Sequence, residues 1–418
     1  MHILFLTDNF PPEVNAPASR TFEHCRQWVE AGHRVTVVTC APNFPSGRLH
    51  AGYRNHAWRR ETVEGMTVVR VWSYISANQG LLLRTLDYAS YMVSAILASC
   101  FVRNVDVVVA TSPQFFTACA GAVAAAARRK PFVFELRDLW PESIRAVGAI
   151  KSALIIGWLE RLELFLYRRA AAVVALTHAF KADLIRRGID GRKIFVITNG
   201  VDLARFEPRA RDESLAERYG LTGKFTVGYI GTHGMAHALD TLLEAAHQLA
   251  RRRDGRDIRF LLLGDGASKK ALMAKAERMG LTSVLFLDSV AKDQVARYWS
   301  LLDVSVIHLK DTELFATVIP SKLFEGMAMG VPVLHGVRGE SAEIVEREGV
   351  GLTFEPENAD SLVDAVLTIT AREDLRRQYA LRARQAALSY DRSALAAGML
   401  GVLQHVSLTP RAAKLGTG

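Results

Sequence analysis

The segment Phe225-Thr-Val-Gly-Tyr-Ile230 is a nearly continuous apolar run, and the loop Gly231-Thr-His-Gly-Met-Ala-His237 follows it directly. Strands that are buried on both faces of a sheet require runs of this kind. A helical pattern at 239–252 comes next, before another apolar run at 259–263. The order strand, loop, helix, strand predicts a parallel sheet that is covered by helices.

The same order extends in both directions along the chain. Strands are predicted at 2–7, 34–39, 105–110, 132–136, 172–176, 194–198, 225–230, 259–263, 283–287, 304–308 and 331–335. A polar stretch at 199–224 interrupts the pattern and predicts a hinge. We expect an α/β fold of two facing, doubly wound, Rossmann-like parallel-sheet domains with a cleft between them, since ligands bind beyond the carboxyl ends of such strands. The expected domains are 1–199, 200–390 and a C-terminal helix and tail at 391–418 that packs back on the first domain.

Composition excludes several classes of protein. With 418 residues, 50% of them hydrophobic, the chain is too apolar to be disordered and long enough for more than one domain. The 52 basic and 43 acidic residues give a net charge of +9, which fits nucleic acid, anionic lipid or phosphorylated small molecules as partners. Because no run of five basic residues occurs, we expect no nucleic-acid partner.

Cysteine usage and the first residues indicate the compartment. The four cysteines form no Cys-x-x-Cys motif, so we interpret them as buried thiols in a reducing compartment. The first apolar run ends at Asp8 and does not resemble a signal peptide. We therefore expect a cytoplasmic protein.

The segment 311–330 carries the most chemical information. Pro320, Ser321 and Lys322 open a predicted helix that ends at Gly330. The free amides of a first helical turn bind anions, and Lys322 adds positive charge. Glu325 lies about one turn further along, placed to accept hydrogen bonds from a sugar diol next to a bound phosphate. The alternative is an ordinary surface pair of Lys322 and Glu325.

Several common motifs are absent. No two aspartates lie two positions apart, and Walker A, His-Glu-x-x-His and Gly-x-Ser-x-Gly motifs do not occur. Gly264-Asp265-Gly266 begins like a dinucleotide fingerprint, but Lys269 stands where the third glycine is needed. We therefore expect no metal and no cofactor. The alternative for this triplet is a tight turn between strand and helix.

Four motifs together resemble one enzyme family. They are Glu325-Gly-Met-Ala-Met-Gly-Val-Pro-Val-Leu334, Asn199-Gly-Val-Asp202, Gly264-Asp-Gly266 and Gly349-Val-Gly-Leu352. Over nearly its whole length the chain resembles the GT-B retaining glycosyltransferases of family 4. Pro-Ser-Lys before Glu325, together with Arg137-Asp-Leu-Trp-Pro-Glu-Ser143, is similar to the O-antigen and capsule branch, near the L-fucosamine transferases.

The resemblance implies roles for individual residues. It assigns catalytic roles to Lys322, Asp138 and His237. Acceptor binding falls to Arg137, Arg20 and Glu13, although Arg137 and Asp138 also fit a salt-bridged strand end. The residues expected to bind the nucleotide sugar are Glu325, Ser321, Ile319, Pro320, Gly231, Thr232, His233, Gly234, Gly264, Asp265, Gly266, Val290, Asn15 and Ala16.

The chain also departs from the family pattern. Thr317 stands at the position of the first glutamate of the family's pair, and His237 stands where lysine is usual. Thr232 or His233 replaces the usual arginine, and Asn15-Ala16 replaces a glycine pair. In this variant Lys322 is expected to supply much of the charge that faces the diphosphate, while the two histidines donate hydrogen bonds.

The acceptor that the resemblance implies is a polyprenyl-diphosphate-linked saccharide. A lipid-linked acceptor lies at a membrane, so we expect the apolar segment 80–102 to contact the membrane surface. Leu81, Leu82, Leu83 and Arg84, with Tyr53 and Trp58, are expected to contact the cytoplasmic face of the inner membrane. The alternative for residues 91–102 is a core helix. The sequence does not indicate an oligomeric state.

The expected function is the retaining transfer of a sugar from a nucleotide-diphospho-sugar, a UDP-linked N-acetylated deoxysugar, to that acceptor in O-antigen or capsule biosynthesis. Two alternatives stay open. One is a nucleotide-sugar 2-epimerase of the same fold. The other is a basic lipid- or nucleic-acid-binding protein without catalysis.

Overall fold

The computed structural model describes residues 1–13, 15–44, 47–75, 81–112, 114–139 and 152–408. The chain divides into two compact units, of which the first contains Met1–Thr198 and the C-terminal segment from Ser393 onwards, and the second contains Asn199–Arg392. Each unit is built around its own sheet.

The sheet of the first unit has eight strands in the order β3-β4-β2-β1-β5-β6-β7-β8. They are β1 (His2–Leu6), β2 (Arg34–Cys40), β3 (Trp58–Val63), β4 (Met66–Val71), β5 (Val107–Thr111), β6 (Phe132–Leu136), β7 (Ala172–Ala175) and β8 (Ile194–Val196). Its helices are α1 (Ala16–Glu30), α2 (Leu81–Cys100), α3 (Phe115–Arg128), α4 (Ala153–Arg169), α5 (His178–Arg186) and, from the end of the chain, α14 (Arg392–Leu408).

The sheet of the second unit has six strands in the order β11-β10-β9-β12-β13-β14, and all of its pairs are parallel. They are β9 (Phe225–Ile230), β10 (Ile258–Leu263), β11 (Val284–Leu287), β12 (Val304–His308), β13 (Val333–Gly336) and β14 (Gly351–Thr353). Its helices are α6 (Glu213–Arg218), α7 (Asp240–Ala250), α8 (Lys269–Arg278), α9 (Val295–Trp299), α10 (Lys322–Met329), α11 (Glu340–Glu348), α12 (Ala359–Ala371) and α13 (Glu373–Ala387).

The first sheet differs from the prediction of a purely parallel sheet, because its edge strand β3 runs antiparallel to β4. The two strands form a hairpin whose two-residue turn, Glu64 and Gly65, has positive φ at both positions. This is the turn geometry that matches the twist of paired strands. Residues 58–71 were not predicted as strands, since their exposed charged side chains hide the apolar alternation of an edge hairpin.

Helices cover both faces of the first sheet. One face packs under α2, α3, α4 and α5, while α1 and α14 cover the other. Trp28 of α1 is fully buried and donates its indole N–H to the carbonyl of Ala396 in α14. The last helix of the chain is therefore an integral part of the core of the first unit.

The prediction that all four cysteines are buried is wrong for one of them. Cys25 and Cys40 are buried and Cys119 is partly buried, but Cys100 is exposed at the end of α2. All four are free thiols. Cys100 is the last residue of its helix and lies on the side that faces away from the sheet.

The packing of α14 makes a testable contribution to stability. Met399 and Leu403 are completely buried against the first sheet, so each change to alanine is expected to cost about 2–5 kcal/mol of unfolding free energy. Gly401 in the same helix has open space around its Cα, and Gly401→Ala is expected to change stability by no more than about 1 kcal/mol. Urea unfolding of the three variants checks this; equal effects at the three positions would contradict the docking of α14.

Candidate functional site

The loop after β9 is shaped by its contact with the loop after β10. Gly264 has φ +148°, and a Cβ at this position would lie 1.9 Å from the carbonyl oxygen of Gly231. The two loops are also joined by a hydrogen bond from the His233 amide to the Asp265 carbonyl, 2.8 Å long. A Cβ on Gly266 would lie 2.5 Å from the carbonyl oxygen of His233. The Gly264-Asp265-Gly266 triplet therefore acts as a support on which the β9 loop rests.

Lys322, the first residue of α10, reaches over this loop. Its Nζ lies 3.9 Å from the ring centroid of Tyr229, and a Cβ on Gly231 would stand 2.8 Å from the same atom. The ammonium has no hydrogen-bond partner among the described residues and is shielded from solvent. Burial lowers the pKa of Lys322 to about 7, against a smaller opposing effect of Glu325. The site thus holds an unpaired lysine whose charge is incompletely stabilised, which is what a bound anion would correct.

The start of α10 offers further donors. Ser321 occupies the cap position without a side-chain capping bond, and the backbone amides of Ser321 and Lys322 have no acceptor among the described residues. Pro320 accepts the amide of Leu323 through its carbonyl. Ile319 is buried in the core beneath the helix and fixes the approach of the chain. These are the donors that an anion at the helix N-terminus would use, and the binding of an anion here stays a prediction.

Two histidines of the β9 loop surround the same tyrosine ring. The rings of His233 and His237 lie 5.9 and 6.0 Å from that of Tyr229. Burial, helped by nearby lysines, lowers the pKa of His233 to about 4, and burial lowers that of His237 to about 3. Both imidazoles are therefore neutral at pH 7. Both nitrogens of His233 and Nδ1 of His237 lack partners among the described residues.

The remaining loop residues are held by the backbone. The Thr232 carbonyl accepts the Tyr229 hydroxyl at 2.8 Å, and the Gly234 carbonyl accepts the His237 amide at 3.0 Å. Val290, after β11, is half-buried against the core of the second unit. Its place in the nucleotide site stays a prediction.

Sequence reasoning missed His308, which fixes the β9 loop through a hydrogen bond to its backbone. His308 ends β12, and its Nε2 accepts the Glu357 amide at 2.8 Å. Its other nitrogen must therefore carry the proton, and it donates to the His237 carbonyl at 2.9 Å. Tyr229 was missed as well, because an aromatic residue in a buried strand looks like core. The available signal was its position two residues before Gly231, where the loop begins.

Glu325 lies on the next turn of α10. Its carboxylate is half-buried and makes no direct hydrogen bond or ion pair with a described residue. Burial raises its pKa, while Arg392, Lys322, Lys292 and Arg205 oppose that shift. A carboxylate that is surrounded by cations yet accepts no hydrogen bond has its acceptor capacity free for a ligand. The alternative considered above, a surface pair of Lys322 and Glu325, does not form, since Lys322 points over Tyr229 instead.

Thr317 does not present a free group in place of a carboxylate. It lies in a short 3₁₀ turn, and its hydroxyl donates to the Leu314 carbonyl at 2.7 Å. This local bond uses its only donor.

The first unit gathers a second polar cluster at the carboxyl ends of β1, β5 and β6. Ser112 accepts the backbone amides of Arg137 and Asp138 through its hydroxyl oxygen, at 2.7 and 3.4 Å. Burial raises the pKa of Asp138 to about 6, although Arg137 opposes this. Asp8, which follows β1, also has a pKa that burial raises. Residues 140–143, which belong to the motif quoted above, lie outside the described residues.

Two residues predicted to bind an acceptor form hydrogen bonds within the first unit instead. Arg20 donates to the buried Glu135 at 2.9 Å and to the carbonyls of Thr198 and Ile197 at 2.6 and 3.0 Å. Glu13 accepts three backbone amides, from Phe10, Asn43 and Phe44. Their polar groups join loops and strands of the first unit, which supports a structural role for both.

Asn15 and Ala16 form the start of α1. The Asn15 side chain caps the helix by accepting the Ala18 amide at 2.9 Å, and it donates to Asn9 at 2.5 Å. Ala16 is exposed in the first helical turn. The asparagine that replaces a glycine is therefore a helix cap, and a contact of either residue with a donor stays a prediction.

The unpaired Lys322 predicts an unusual pH dependence of stability. Its folded pKa of about 7 lies below the ordinary value of 10.5, so between these pH values the unfolded chain binds more protons. The loss of folding stability caused by the buried Lys322 is complete below pH 7. It disappears as the pH approaches 10.5, the pKa of the lysine in the unfolded chain. We expect Lys322→Met to raise stability at pH 6 by on the order of 2 kcal/mol and to lose this advantage towards pH 10.

Thermal unfolding from pH 6 to 10 measures this effect. Lys270→Met, which alters an exposed lysine of the same unit, is the matched control and should show no such trend. A destabilised Lys322→Met at pH 6 would mean that the ammonium has a stabilising partner.

Comparisons with known proteins identify the related families. Residues 18–205 match the family model Glycosyltransferase Family 4, and residues 224–372 match the model Glycosyl transferases group 1. A protein of Escherichia coli (strain K12) named as a colanic acid biosynthesis glycosyl transferase, WcaI, is 25% identical over 91% of this chain and 96% of its own. A GDP-mannose-dependent alpha-mannosyltransferase of Mycobacterium tuberculosis (strain CDC 1551 / Oshkosh) is 25% identical over 93% of this chain and 92% of its own.

Solved structures show the same fold. Anabaena HepE in complex with UDP-glucose superposes with a TM-score of 0.74 at 18% identity, covering 97% of this chain and 100% of that chain. Sucrose-phosphate synthase from Thermosynechococcus elongatus gives a TM-score of 0.74 at 16% identity, with 97% and 98% covered. The chain therefore has the GT-B fold and contains two glycosyltransferase domains, one that matches family 4 and one that matches group 1.

Proposed function

We propose that this glycosyltransferase moves a sugar from a nucleotide-diphospho-sugar to a polyprenyl-diphosphate-linked saccharide, with retention of configuration, in the biosynthesis of a surface polysaccharide. The observation that carries the proposal is the unpaired Lys322 ammonium beside two free backbone amides of α10. The relative named for colanic acid biosynthesis supports the polysaccharide context. The solved structures with UDP and UDP-glucose support a UDP-linked donor, for which we propose an N-acetylated deoxysugar.

The donor's diphosphate is placed at the start of α10 and against the β9 loop. Negative charge grows on the departing phosphate during transfer, and fixed donors aimed at that charge lower the barrier. Lys322 supplies a full charge once the anion has raised its pKa. The neutral His233 and His237 donate hydrogen bonds from unpaired ring nitrogens. Because these groups already face the diphosphate, the proposal requires no metal ion.

Glu325 is assigned to the ribose of the donor. Its carboxylate has free acceptor capacity, lies one helical turn beyond Lys322 and is half-buried, so a diol can replace water there without leaving an unpaired group. The spacing of about 6 Å along the helix from Ser321 to Glu325 suits a diphosphate and its adjoining pentose.

The first unit is assigned to the acceptor. Asp138 orients the acceptor hydroxyl, and Arg137 faces its phosphate. In the transfer, the bond between the anomeric carbon and the phosphate oxygen breaks, and a bond to the acceptor oxygen forms on the same face. The acceptor proton passes to the departing phosphate oxygen, so no enzymic base is consumed. Arg20 and Glu13 are left out of this assignment, since their polar groups are bonded within the fold.

The direct test is sugar transfer from a panel of UDP- and GDP-sugars to a lipid-linked acceptor in the presence of EDTA. We expect transfer with retained configuration, and a loss of roughly 100-fold or more in Lys322→Met while Lys270→Met stays active. Complete dependence on added divalent metal would contradict the metal-free mechanism. Release of an epimerised sugar without acceptor would establish the epimerase instead.

The role of Glu325 is tested by the same panel in a binding cycle. The wild type should bind UDP roughly 10- to 100-fold more tightly than 2′-deoxy-UDP, because hydrogen bonds to a carboxylate are strong. Glu325→Ala should lose this preference while retaining the salt-sensitive binding of the diphosphate. An unchanged preference in the variant would remove Glu325 from the ribose site.

A further inference from the structure

Helices α2, α3 and α4 form one layer on a face of the first sheet. Their inward sides carry core residues such as Tyr91, Ala118 and Leu166. Their outward sides, where polar residues are usual, carry large apolar side chains. We call this surface the outer helical face; its exposed members are Leu83, Leu86, Val93, Leu97, Val123, Leu154, Ile155, Trp158, Leu162 and Phe165.

The polarity of α4 is inverted along most of its length. Ile155, Trp158, Leu162 and Phe165 follow one another at helical spacing, and Trp158 and Phe165 are 69% and 54% exposed. The acidic Glu163 instead points inward, where it accepts hydrogen bonds from Tyr167 at 2.6 Å and Arg187 at 2.5 Å. A helix that buries its carboxylate and exposes its aromatic rings is built to contact something apolar.

This surface is specific to the first unit. Among the described residues, eighteen exposed large hydrophobic side chains lie in the first unit and four in the second. Trp58 extends the patch, since its ring packs edge-on against Phe101, the residue that follows α2. Leu83 and Arg84, predicted to contact a membrane, are exposed, whereas the side chains of Leu81 and Leu82 lie outside the described residues.

The charges around the outer helical face are mainly positive. Its three helices carry, besides the inward Glu163, two acidic residues, Asp87 and Glu160. Arg161 lies 5.9 Å from the Trp158 ring, a pairing that keeps the cation next to the apolar stripe. The basic residues of the three helices and of the segment that follows α3 are Arg84, Arg128, Arg129, Lys130, Arg161, Arg168 and Arg169.

Among the described residues, no helix combines the length and the apolar character that crossing a membrane requires. An exposed apolar stripe with a basic surround is the arrangement of helices that lie in the plane of a membrane interface. A second copy of the chain would bring the same basic residues against one another, which is unfavourable.

We propose that the outer helical face docks on an anionic lipid bilayer, with the α4 stripe around Trp158 as its anchor. This deepens the proposed function and rests on it in one respect, namely that a lipid-linked acceptor gives the docking a purpose. The binding itself depends on the first unit's surface and needs no nucleotide sugar.

The test is co-sedimentation of the full chain with vesicles of phosphatidylcholine containing about 30% phosphatidylglycerol, without donor or acceptor. The double variant Trp158→Ser, Leu162→Ser should bind at least roughly tenfold more weakly than the wild type. The matched control, Leu381→Ser with Leu388→Ser, removes two exposed leucines of the second unit and should bind like the wild type. Wild-type binding should weaken as salt rises.

Three results would overturn the inference. They are absence of wild-type binding to these vesicles, unchanged binding by the double variant, and a wild-type dimer in sedimentation that the double variant dissociates. Circular dichroism checks that the variants fold, as expected for exposed positions. A wild type that transfers sugar to a detergent-dispersed acceptor but does not bind the vesicles rejects the inference alone, whereas a wild type that binds the vesicles but no nucleotide sugar rejects the proposed function alone.

Discussion

A lysine ammonium that lies against an aromatic ring, with no anionic partner among the described residues, is the constraint on which the second unit depends. Lys322 lies over Tyr229 at 3.9 Å, and attraction of a cation to a desolvated ring contributes on the order of 2 kcal/mol. The lowered pKa of about 7 shows that the cost of burial exceeds what its surroundings return. The fold therefore maintains a site that is poised to accept negative charge.

Backbone contacts hold the site around Lys322 in place. The β9 loop can pass beneath Lys322 because Gly231 has no side chain there, and it can rest on the β10 loop because Gly264 has none. His308 fixes the far end of the loop through the His237 carbonyl. Two strand ends and one helix start are thus fixed relative to one another by backbone contacts, and the side chains of the site remain free for a ligand.

Sequence reasoning predicted this part of the molecule well, and the physical reason is local. Strand β9 follows from an apolar run of six residues. The end of α10 follows from Gly330, which adopts the left-handed conformation. Both signals are short-range. Tyr229 was not singled out, because its contact is with a lysine 93 positions away and its place before the loop is a weak signal on its own. For the same reason, the buried bonds of Arg20 to Glu135 and to residues near 198 were invisible, and a buried structural arginine was assigned to the acceptor.

The first unit shows a different limit. The β3–β4 hairpin has an exposed, charged edge strand, so its residues indicated a lipid contact rather than a strand. The outward apolar side of helix α4 was not recognised, because a hydrophobic helix in sequence looks buried on all sides. The inward position of Glu163 and the exposure of Trp158 and Phe165 show which side is outside.

The measurement that tests the central claim most directly is the number of protons taken up when a UDP-sugar binds at pH 8, obtained by calorimetry in buffers of different ionisation enthalpy. At this pH about nine-tenths of the free Lys322 is neutral if its pKa is about 7, and a diphosphate beside it should restore the proton. The wild type should take up close to one proton at pH 8 and almost none at pH 6, and Lys322→Met should take up none at either. Tight binding at pH 8 without proton uptake would show that Lys322 does not face the diphosphate.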